Sequence, residues 1–296
     1  MTLQVVAGGS GTADDVALVA AQLAQLPAAI GDALAAHKIK VVACRVSVTD
    51  FAKRLKGVHP RNWPEGATWD TVPGAYLPTE QAVAIATIQP ADGSPRRVPR
   101  DGEGHGSRSL AVHETMHGYD YAFNRDRSGA SAFRKVWTDE CHAHVITDAY
   151  FTDANAGPEE TYAESAAMHF GLDPADRSKW PLFVPFWDGF VAAPPPPKKK
   201  SGGLFGGLFG LAAGAGGGAR TRPKGAAIGS GRLLANGTIE LNVTAENDAG
   251  DHGHAMLSYA QGDVHYGTVR AHVLPPSAGL GMAGPAPGAT FVVRPF

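Results

Sequence analysis

Apolar residues near the start of the chain recur with the period of an α-helix. Residues 12–36 carry such a stripe, formed by Val16, Leu18, Val19, Leu23, Leu26 and Ile30. Thr12 or Asp14 can cap this helix, because short polar side chains accept hydrogen bonds from its first free N–H groups. Pro27 interrupts the pattern and should kink or split the helix, since it has no N–H to donate.

Further along, two short apolar runs are typical of buried strands and three longer segments are typical of helices. The predicted strands are KVVACRV at 40–46 and AVAIAT at 82–87. The predicted helices cover residues 109–123, 130–144 and 158–170. The first part of the chain, up to about residue 192, therefore mixes helices with strands.

The C-terminal part has a different pattern, in which apolar and polar residues alternate. After the pair Asn236-Gly237, the residues Ile239, Leu241 and Val243 alternate with polar ones. Asn-Gly favours the type I′ turn that joins two antiparallel strands, so a hairpin is predicted over 233–243. Further strands are predicted at 255–259, 264–273 and 290–293, which together indicate a small antiparallel β module.

Proline, lysine and glycine dominate the segment between these two parts. Four prolines, 194–197, and three lysines precede the glycine-rich run SGGLFGGLFGLAAGAGGGA at 201–219. A stiff proline start followed by a loose glycine tract is typical of a spacer. The LFGGLF repeat beside the lysines leaves membrane contact as the alternative, although the run is weak for a spanning helix. The predicted division is a domain at 1–192, a linker at 193–226 and a β-rich accessory domain at 227–296.

Composition narrows the class of protein. With 44% hydrophobic and 18% charged residues, the 296-residue chain can bury a core and should be globular. A net charge of −2 gives no general attraction to nucleic acid, and two cysteines make no disulfide framework. The N-terminus has no basic segment followed by an apolar one, so no classical signal peptide is predicted. Export by a leaderless bacterial route and a cytoplasmic location both stay open, as does the oligomeric state.

The segment His-Glu-Thr-Met-His at 113–117 has the spacing of a zinc-binding helix. Residues four apart lie on one face of a helix, so His113 and His117 can direct two imidazole nitrogens at one metal ion. Glu114 stands beside the first ligand, where it can accept a proton from water activated by zinc and pass it to a leaving amine. A catalytic zinc site also needs a third protein ligand and an open fourth position.

The predicted helix at 158–170 offers the third ligand. Glu160 and Glu164 lie one turn apart on it, so one carboxylate can bind zinc while the other orients a ligand. The alternative is a solvated acidic helix start, because acidic residues favour helix N-termini in general. The preceding HExxH segment favours the metal-binding interpretation.

Together these motifs resemble the anthrax lethal factor-like metallopeptidases, a family that also contains bacterial Pro-Pro endopeptidases. The resemblance rests on His-Glu-Thr-Met-His-Gly-Tyr-Asp at 113–120, Glu-Thr-Tyr-Ala-Glu at 160–164 and the loop at 61–76 with its Trp-Asp-Thr-Val-Pro-Gly sequence. It covers about residues 30–185. It implies an α+β, zincin-like fold with one catalytic zinc ion as the cofactor.

The resemblance also implies roles for individual residues. Its zinc ligands would be His113, His117 and Glu160. Glu114 would be the general base, and Asp120 and Glu164 would support the ligands through hydrogen bonds. The family also has a tyrosine shortly before the ligand glutamate, where its hydroxyl can stabilise an oxyanion. Tyr150 is the candidate here, over a longer gap than the family pattern, and a half-buried aromatic at a helix end is the alternative.

Several other histidines fit simpler interpretations. His142 and His144 point to different sides of a predicted helix, which favours surface or core histidines over a second metal site. His252 and His254 lie in a glycine-containing segment, where an ordinary polar turn is favoured over a metal site. His105 precedes the motif helix, and its place relative to the cleft stays open.

The leading hypothesis is a zinc-dependent endopeptidase that hydrolyses a protein or peptide substrate. A secreted effector or toxin role is implied by the family resemblance alone. The family includes enzymes that cut near prolines, which suggests a proline-rich substrate and self-cleavage of the chain at residues 193–197. Two alternatives stay open: a catalytically inactive zinc-binding targeting protein, and an intracellular housekeeping metallopeptidase.

Overall fold

The computed structural model describes residues 3–123, 127–192, 226–274, 288 and 290–296. Within these residues the helices are Ala13–Gln22 (α1), Ala28–Ala36 (α2), Leu110–Ala122 (α3), Ser131–His142 (α4), Gly157–Phe170 (α5), Phe183–Ala192 (α6) and Tyr266–Val273 (α7). The strands are Val5–Ala7 (β1), Lys40–Cys44 (β2), Gly74–Leu77 (β3), Ala82–Ala86 (β4), Gly229–Leu233 (β5), Ile239–Glu246 (β6), His252–Tyr259 (β7) and Thr290–Val293 (β8). Short 3-10 helical turns lie in the connections, at Val48–Asp50, Lys53–Leu55, Trp69–Thr71 and Pro174–Ser178. The predicted α+β class is confirmed.

The N-terminal helix breaks where proline predicts it. α1 ends at Gln22, and α2 begins directly after Pro27. Thr12 caps α1, because its hydroxyl accepts a hydrogen bond from the N–H of Asp15. The carboxylate of Asp15 accepts one from the N–H of Thr12 in return. This capping box satisfies two backbone donors at the helix end.

One sheet contains all eight described strands, in the order β1-β2-β4-β3-β7-β6-β5-β8. β1, β2 and β4 are parallel, and the other neighbours pair antiparallel. Side chains alternate between two cores: Val41 and Ala43 of β2 face helices α1–α6, whereas Val42 and Cys44 face the opposite side. That second core lies beneath the connection at 48–72 and beneath α7.

Helices α3 and α5 lie deepest in the helical layer. α3 contacts α5, β3 and β4, and its residues from Leu110 to Asp120 are all buried. Every residue of α5 is buried. Because both helices carry charged and polar residues, those side chains must find partners inside the protein. The candidate functional site consists of those side chains and their partners.

The C-terminal strands continue the sheet of the N-terminal part, which corrects the prediction of a self-contained β module. β7 pairs antiparallel with β3, through Gly74 with His254, Ala75 with Gly253 and Tyr76 with His252. Side chains reinforce the junction. Arg54 donates to both carboxylate oxygens of Asp251, at 2.5 and 2.7 Å, and the indole N–H of Trp63 donates to the carbonyl of Thr244.

Two local predictions in the C-terminal part are wrong. Residues 264–273 contain a helix, α7, where a strand is predicted. Tyr266, Val269 and Val273 explain the difference, because their spacing is helical and all three pack on the second core. The predicted hairpin is present, but its turn has a positive φ at Gly237 (81°) and none at Asn236. A type I′ turn needs a positive φ at both of these residues.

The predicted linker lies almost entirely outside the described residues, which omit 193–225. The spacer and membrane-contact interpretations therefore stay predictions, as do the domain boundaries at 192 and 227. Among the described helices, none is long and apolar enough to cross a membrane.

Gly253 lets the two parts of the sheet approach closely. A Cβ at this position would lie 2.5 Å from the backbone oxygen of Gly74 and 2.7 Å from the Cβ of Ala75. We expect Gly253→Ala to lower the free energy of unfolding by about 1–3 kcal/mol, the usual effect of overpacking, measured by urea denaturation. Gly262→Ala is the control, because a Cβ there meets nothing within 4 Å. Equal losses in both variants would contradict the close contact.

Candidate metal centre

The two histidines of the HExxH segment meet a glutamate of α5. His113 and His117 lie one turn apart on α3, with their Nε2 atoms 3.0 Å apart. Oε2 of Glu160 lies 3.7 Å from Nε2 of His113 and 3.6 Å from Nε2 of His117. All three side chains are buried. The structure therefore brings the three predicted ligands together.

Glu164, one turn further along α5, contacts this group from behind. Its Oε2 accepts a hydrogen bond from Nδ1 of His113 at 3.0 Å, and its Oε1 accepts one from the N–H of Arg108. A carboxylate at Nδ1 keeps the proton on that nitrogen, which directs the Nε2 lone pair at the centre of the group. This contact is the one expected of a residue that orients a metal-binding histidine.

A fourth side chain enters the group from β7. Nδ1 of His254 lies 2.9 Å from Oε1 of Glu114, and its Nε2 lies 2.8 Å from Oε2 of Glu160. The ring also stacks on that of His117, with the centroids 5.0 Å apart. The imidazole of His254 therefore stands between the predicted general base and the predicted glutamate ligand.

His252 borders the same group. Its Nε2 lies 3.5 Å from Oε1 of Glu160, and its Nδ1 shares a 3.1 Å hydrogen bond with the hydroxyl of Tyr121. The predicted polar turn at His252 and His254 is wrong, because both are buried residues of a strand. Their His-x-His spacing is the signal that sequence reasoning missed, since residues two apart on a strand share a face.

Burial and charge act in opposite directions on the pKa values of this group. Burial raises the pKa of Glu160, but the imidazoles of His254 and His117 outweigh it and hold that pKa well below its usual range. Burial lowers the pKa of His254, but the carboxylates of Glu160 and Glu114 raise it to about 10. The pocket therefore favours a positive charge between its two carboxylates.

The residues of this group fit a single zinc ion. Zinc prefers imidazole and carboxylate donors in a tetrahedral arrangement. Ligand atoms of His113, His117, Glu160 and His254 all lie within 4.8 Å of one another. Oε2 of Glu114 is buried without a hydrogen-bond partner among the described residues. Because buried polar atoms without partners are costly, a cation here would stabilise the group.

Residues 12–179, more than half of the chain, match the family model described as anthrax toxin lethal factor, N- and C-terminal domain. The chain belongs to this family. The match contains α3 and α5 with the three predicted ligands, whereas β7 with His252 and His254 lies beyond its end.

The chain is also similar to a Pro-Pro endopeptidase, both in sequence and in fold. A Pro-Pro endopeptidase of Paenibacillus alvei is 30% identical over 193 residues, which cover 64% of this chain and 82% of the relative. A solved structure of the Pro-Pro endopeptidase from Paenibacillus alvei matches with a TM-score of 0.50 and 29% identity, covering 63% of this chain and 96% of that one. The predicted resemblance is therefore confirmed.

Two further residues predicted from the lethal factor family make different contacts. The hydroxyl of Tyr150 is buried and hydrogen-bonds the hydroxyl of Thr244, which pairs with His254 across β6 and β7. Asp120 accepts hydrogen bonds from the N–H and the hydroxyl of Ser128, and burial raises its pKa to about 6. Their predicted roles beside the metal stay predictions.

The remaining histidines lie outside the group. His105 is buried, donates from Nε2 to the carbonyl of Pro99 and accepts at Nδ1 from the N–H of Ser107. Burial lowers its pKa to about 4, so it stabilises the loop before α3 as a neutral ring. His142 and His144 are exposed and belong to no metal-binding group of the described residues.

We expect Glu164→Gln to weaken zinc binding about 10- to 100-fold, the usual effect of removing a carboxylate that orients a metal-binding histidine. Gln keeps the shape of the side chain but loses the charge that holds the proton on Nδ1 of His113. Competition with a fluorescent chelator measures the affinity. Glu65→Gln, at an exposed position, is the control. Unchanged affinity in Glu164→Gln would contradict the orienting role.

Proposed function

We propose that the chain is a zinc-dependent endopeptidase. The observation that carries the proposal is the convergence of Glu114 with His113, His117 and Glu160 in one buried group. Membership of the lethal factor family and the likeness to a Pro-Pro endopeptidase support the same activity.

Each residue has one task in this proposal. His113, His117 and Glu160 would hold a zinc ion, which when bound would supply Lewis acidity to polarise a peptide carbonyl and acidify water. Glu114 accepts a proton from the attacking water and delivers it to the nitrogen of the departing amine. The peptide C–N bond is then replaced by one C–O bond and one N–H bond, so atoms and charges balance.

The proposed substrate class is a peptide that contains adjacent prolines. The name of the relative, Pro-Pro endopeptidase, supports this choice. The chain itself contains four successive prolines at 194–197, outside the described residues, so cleavage of its own linker stays part of the proposal. Mass spectrometry of the incubated zinc-loaded protein would contradict self-cleavage if the linker stayed intact.

Glu114→Gln tests the catalytic proposal. We expect the variant to bind zinc but to lose about 100- to 10,000-fold in kcat/KM, the usual effect of removing a general base. Peptides with adjacent prolines serve as substrates. Slow turnover is detected by mass spectrometry of the products after long incubation. Glu65→Gln should cleave like the wild type, because Glu65 is exposed. Equal cleavage by Glu114→Gln and wild type would remove Glu114 from the mechanism.

One observation favours a second candidate, a non-catalytic zinc-binding protein. Structural zinc sites are closed by four protein ligands, and His254 stands where an open position would be needed. This candidate predicts no Glu114-dependent cleavage by the wild type or by His254→Ala. The endopeptidase proposal predicts such cleavage in at least one of them.

The proposed biological role, that of a secreted effector or toxin, rests only on membership of the lethal factor family. Anthrax toxin lethal factor names the matching family, which supports a secreted effector or toxin over an intracellular housekeeping peptidase. Detection of the protein in culture medium of intact cells would support export. Its retention inside the cells would favour the housekeeping role.

A further inference from the structure

The strand that brings His254 to the metal centre also covers one edge of β3. β3 lies against the HExxH helix, since a Cβ on Gly74 would be only 2.8 Å from Cγ of Glu114. On its other side, β3 pairs with residues 252–254 of β7. Without β7, β3 would be the edge strand of the group β1-β2-β4-β3, with unpaired backbone groups beside Glu114.

An open strand edge binds extended peptides, because its free N–H and C=O groups pair with those of an incoming chain. An endopeptidase must hold its substrate extended, with the scissile bond beside the base and the metal. An uncovered β3 would meet both requirements, because its free edge could pair with an extended chain and because it lies against Glu114. A segment of the chain itself, residues 252–254, therefore occupies the position that a substrate would need.

His254 fills the chemical part of that position. Its two nitrogens contact Glu114 and Glu160, so its ring lies where water and the scissile carbonyl would have to enter. A catalytic zinc site keeps one coordination position open. The family match ends at residue 179, so His254 is an addition to the three ligands that lie inside the match.

We propose that residues 252–254 are an internal inhibitor of the active site, in which His254 is a fourth protein ligand of the zinc ion and β7 covers the substrate edge of β3. The proposal rests on the proposed endopeptidase function. The arrangement with β7 paired to β3 is a closed form, and peptide cleavage requires this segment to leave β3.

The contacts of β7 indicate how the closed form opens. Three residue pairs join β7 to β3, whereas eight join it to β6. The near end is held by the ion pair of Arg54 with Asp251. Further along, Leu257 and Tyr259 face the second core. Opening is therefore a local release of residues 251–254 from β3, with the rest of the C-terminal sheet in place.

X-ray absorption at the zinc edge of the zinc-loaded full chain tests the ligand directly. We expect three imidazole ligands in the wild type and two in His254→Ala. His252→Ala and His142→Ala should each retain three, because His252 lies beside the group and His142 is exposed. Two imidazoles in the wild type would overturn the proposal. This measurement does not depend on turnover.

Cleavage of a peptide with adjacent prolines tests the inhibition. We expect His254→Ala to raise Glu114-dependent cleavage about tenfold, as follows if the closed form holds roughly 90% of the wild-type protein. If His254 instead assists the reaction, the substitution lowers cleavage. Lower or unchanged cleavage would overturn the proposal.

Arg54→Ala should open the closed form without changing a residue of the candidate metal centre. This variant therefore tests the inhibition even if His254→Ala does not fold. The substitution removes the ion pairs of Arg54 with Asp251 and with Glu80, and loss of the first should raise cleavage several-fold. Arg232→Ala is the control, because it removes an ion pair with Glu240 inside the β5–β6 hairpin and should leave cleavage unchanged. Equal cleavage by Arg54→Ala and wild type would overturn the proposal.

The two readouts separate this inference from the proposed function. Two imidazoles together with Glu114-dependent cleavage would remove the inhibitor and leave the endopeptidase. Three imidazoles with no cleavage by any variant would remove the endopeptidase, and the inhibitory role with it, and would favour a structural zinc site.

Discussion

The carboxylate of Glu160 is the group on which the rest of the centre depends. It is about 1% exposed, on a helix buried along its whole length. Burying a carboxylate away from water costs roughly several kcal/mol of free energy unless a partner compensates its charge. Its partners come from α3 and from β7, which are distant in sequence. The packing of α5 on α3 and the pairing of β7 with β3 must therefore both be in register for this charge to be compensated.

The two faces of β7 lie in different surroundings, one polar and one apolar. His252, His254 and Met256 face the helical layer, and Ala255 and Leu257 face the second core. Because successive side chains of a strand alternate, a shift by one residue would place imidazoles in the apolar core and apolar side chains at the carboxylates. The buried group around Glu160 and the second core therefore fix the same register independently. The close approach at Gly253 adds a steric constraint to it.

How much of the site the sequence predicts depends on whether its spacing is local. One helical turn separates His113 from His117, and one turn separates Glu160 from Glu164. Each pair is therefore recognisable without knowledge of the fold. His254 meets Glu114 only because β7 pairs with β3, across some 180 residues from Gly74. Helices α1 to α5 and strands β2 and β4 were predictable for the same reason, whereas α6 and β1 were not predicted and β3 begins inside the predicted loop at 61–76. The sheet that joins both parts was not predictable, because the pairing partner of an edge strand has no local signal.

His254 belongs to the buried group around Glu160 but lies outside the family match. The comparison with the Pro-Pro endopeptidase helps to explain its position. Nearly all of the solved Pro-Pro endopeptidase, 96%, is covered by 63% of this chain. The three predicted ligands and the predicted base lie within the family match, at 12–179, and the strands from β5 onward lie beyond it. A metal site of three ligands and a base does not require a fourth ligand to hydrolyse a peptide, and an added ligand removes the open position that hydrolysis needs. On the proposed endopeptidase function, a histidine that lies beyond the match and is directed at the open position is therefore better explained by control of access to the site than by the reaction itself.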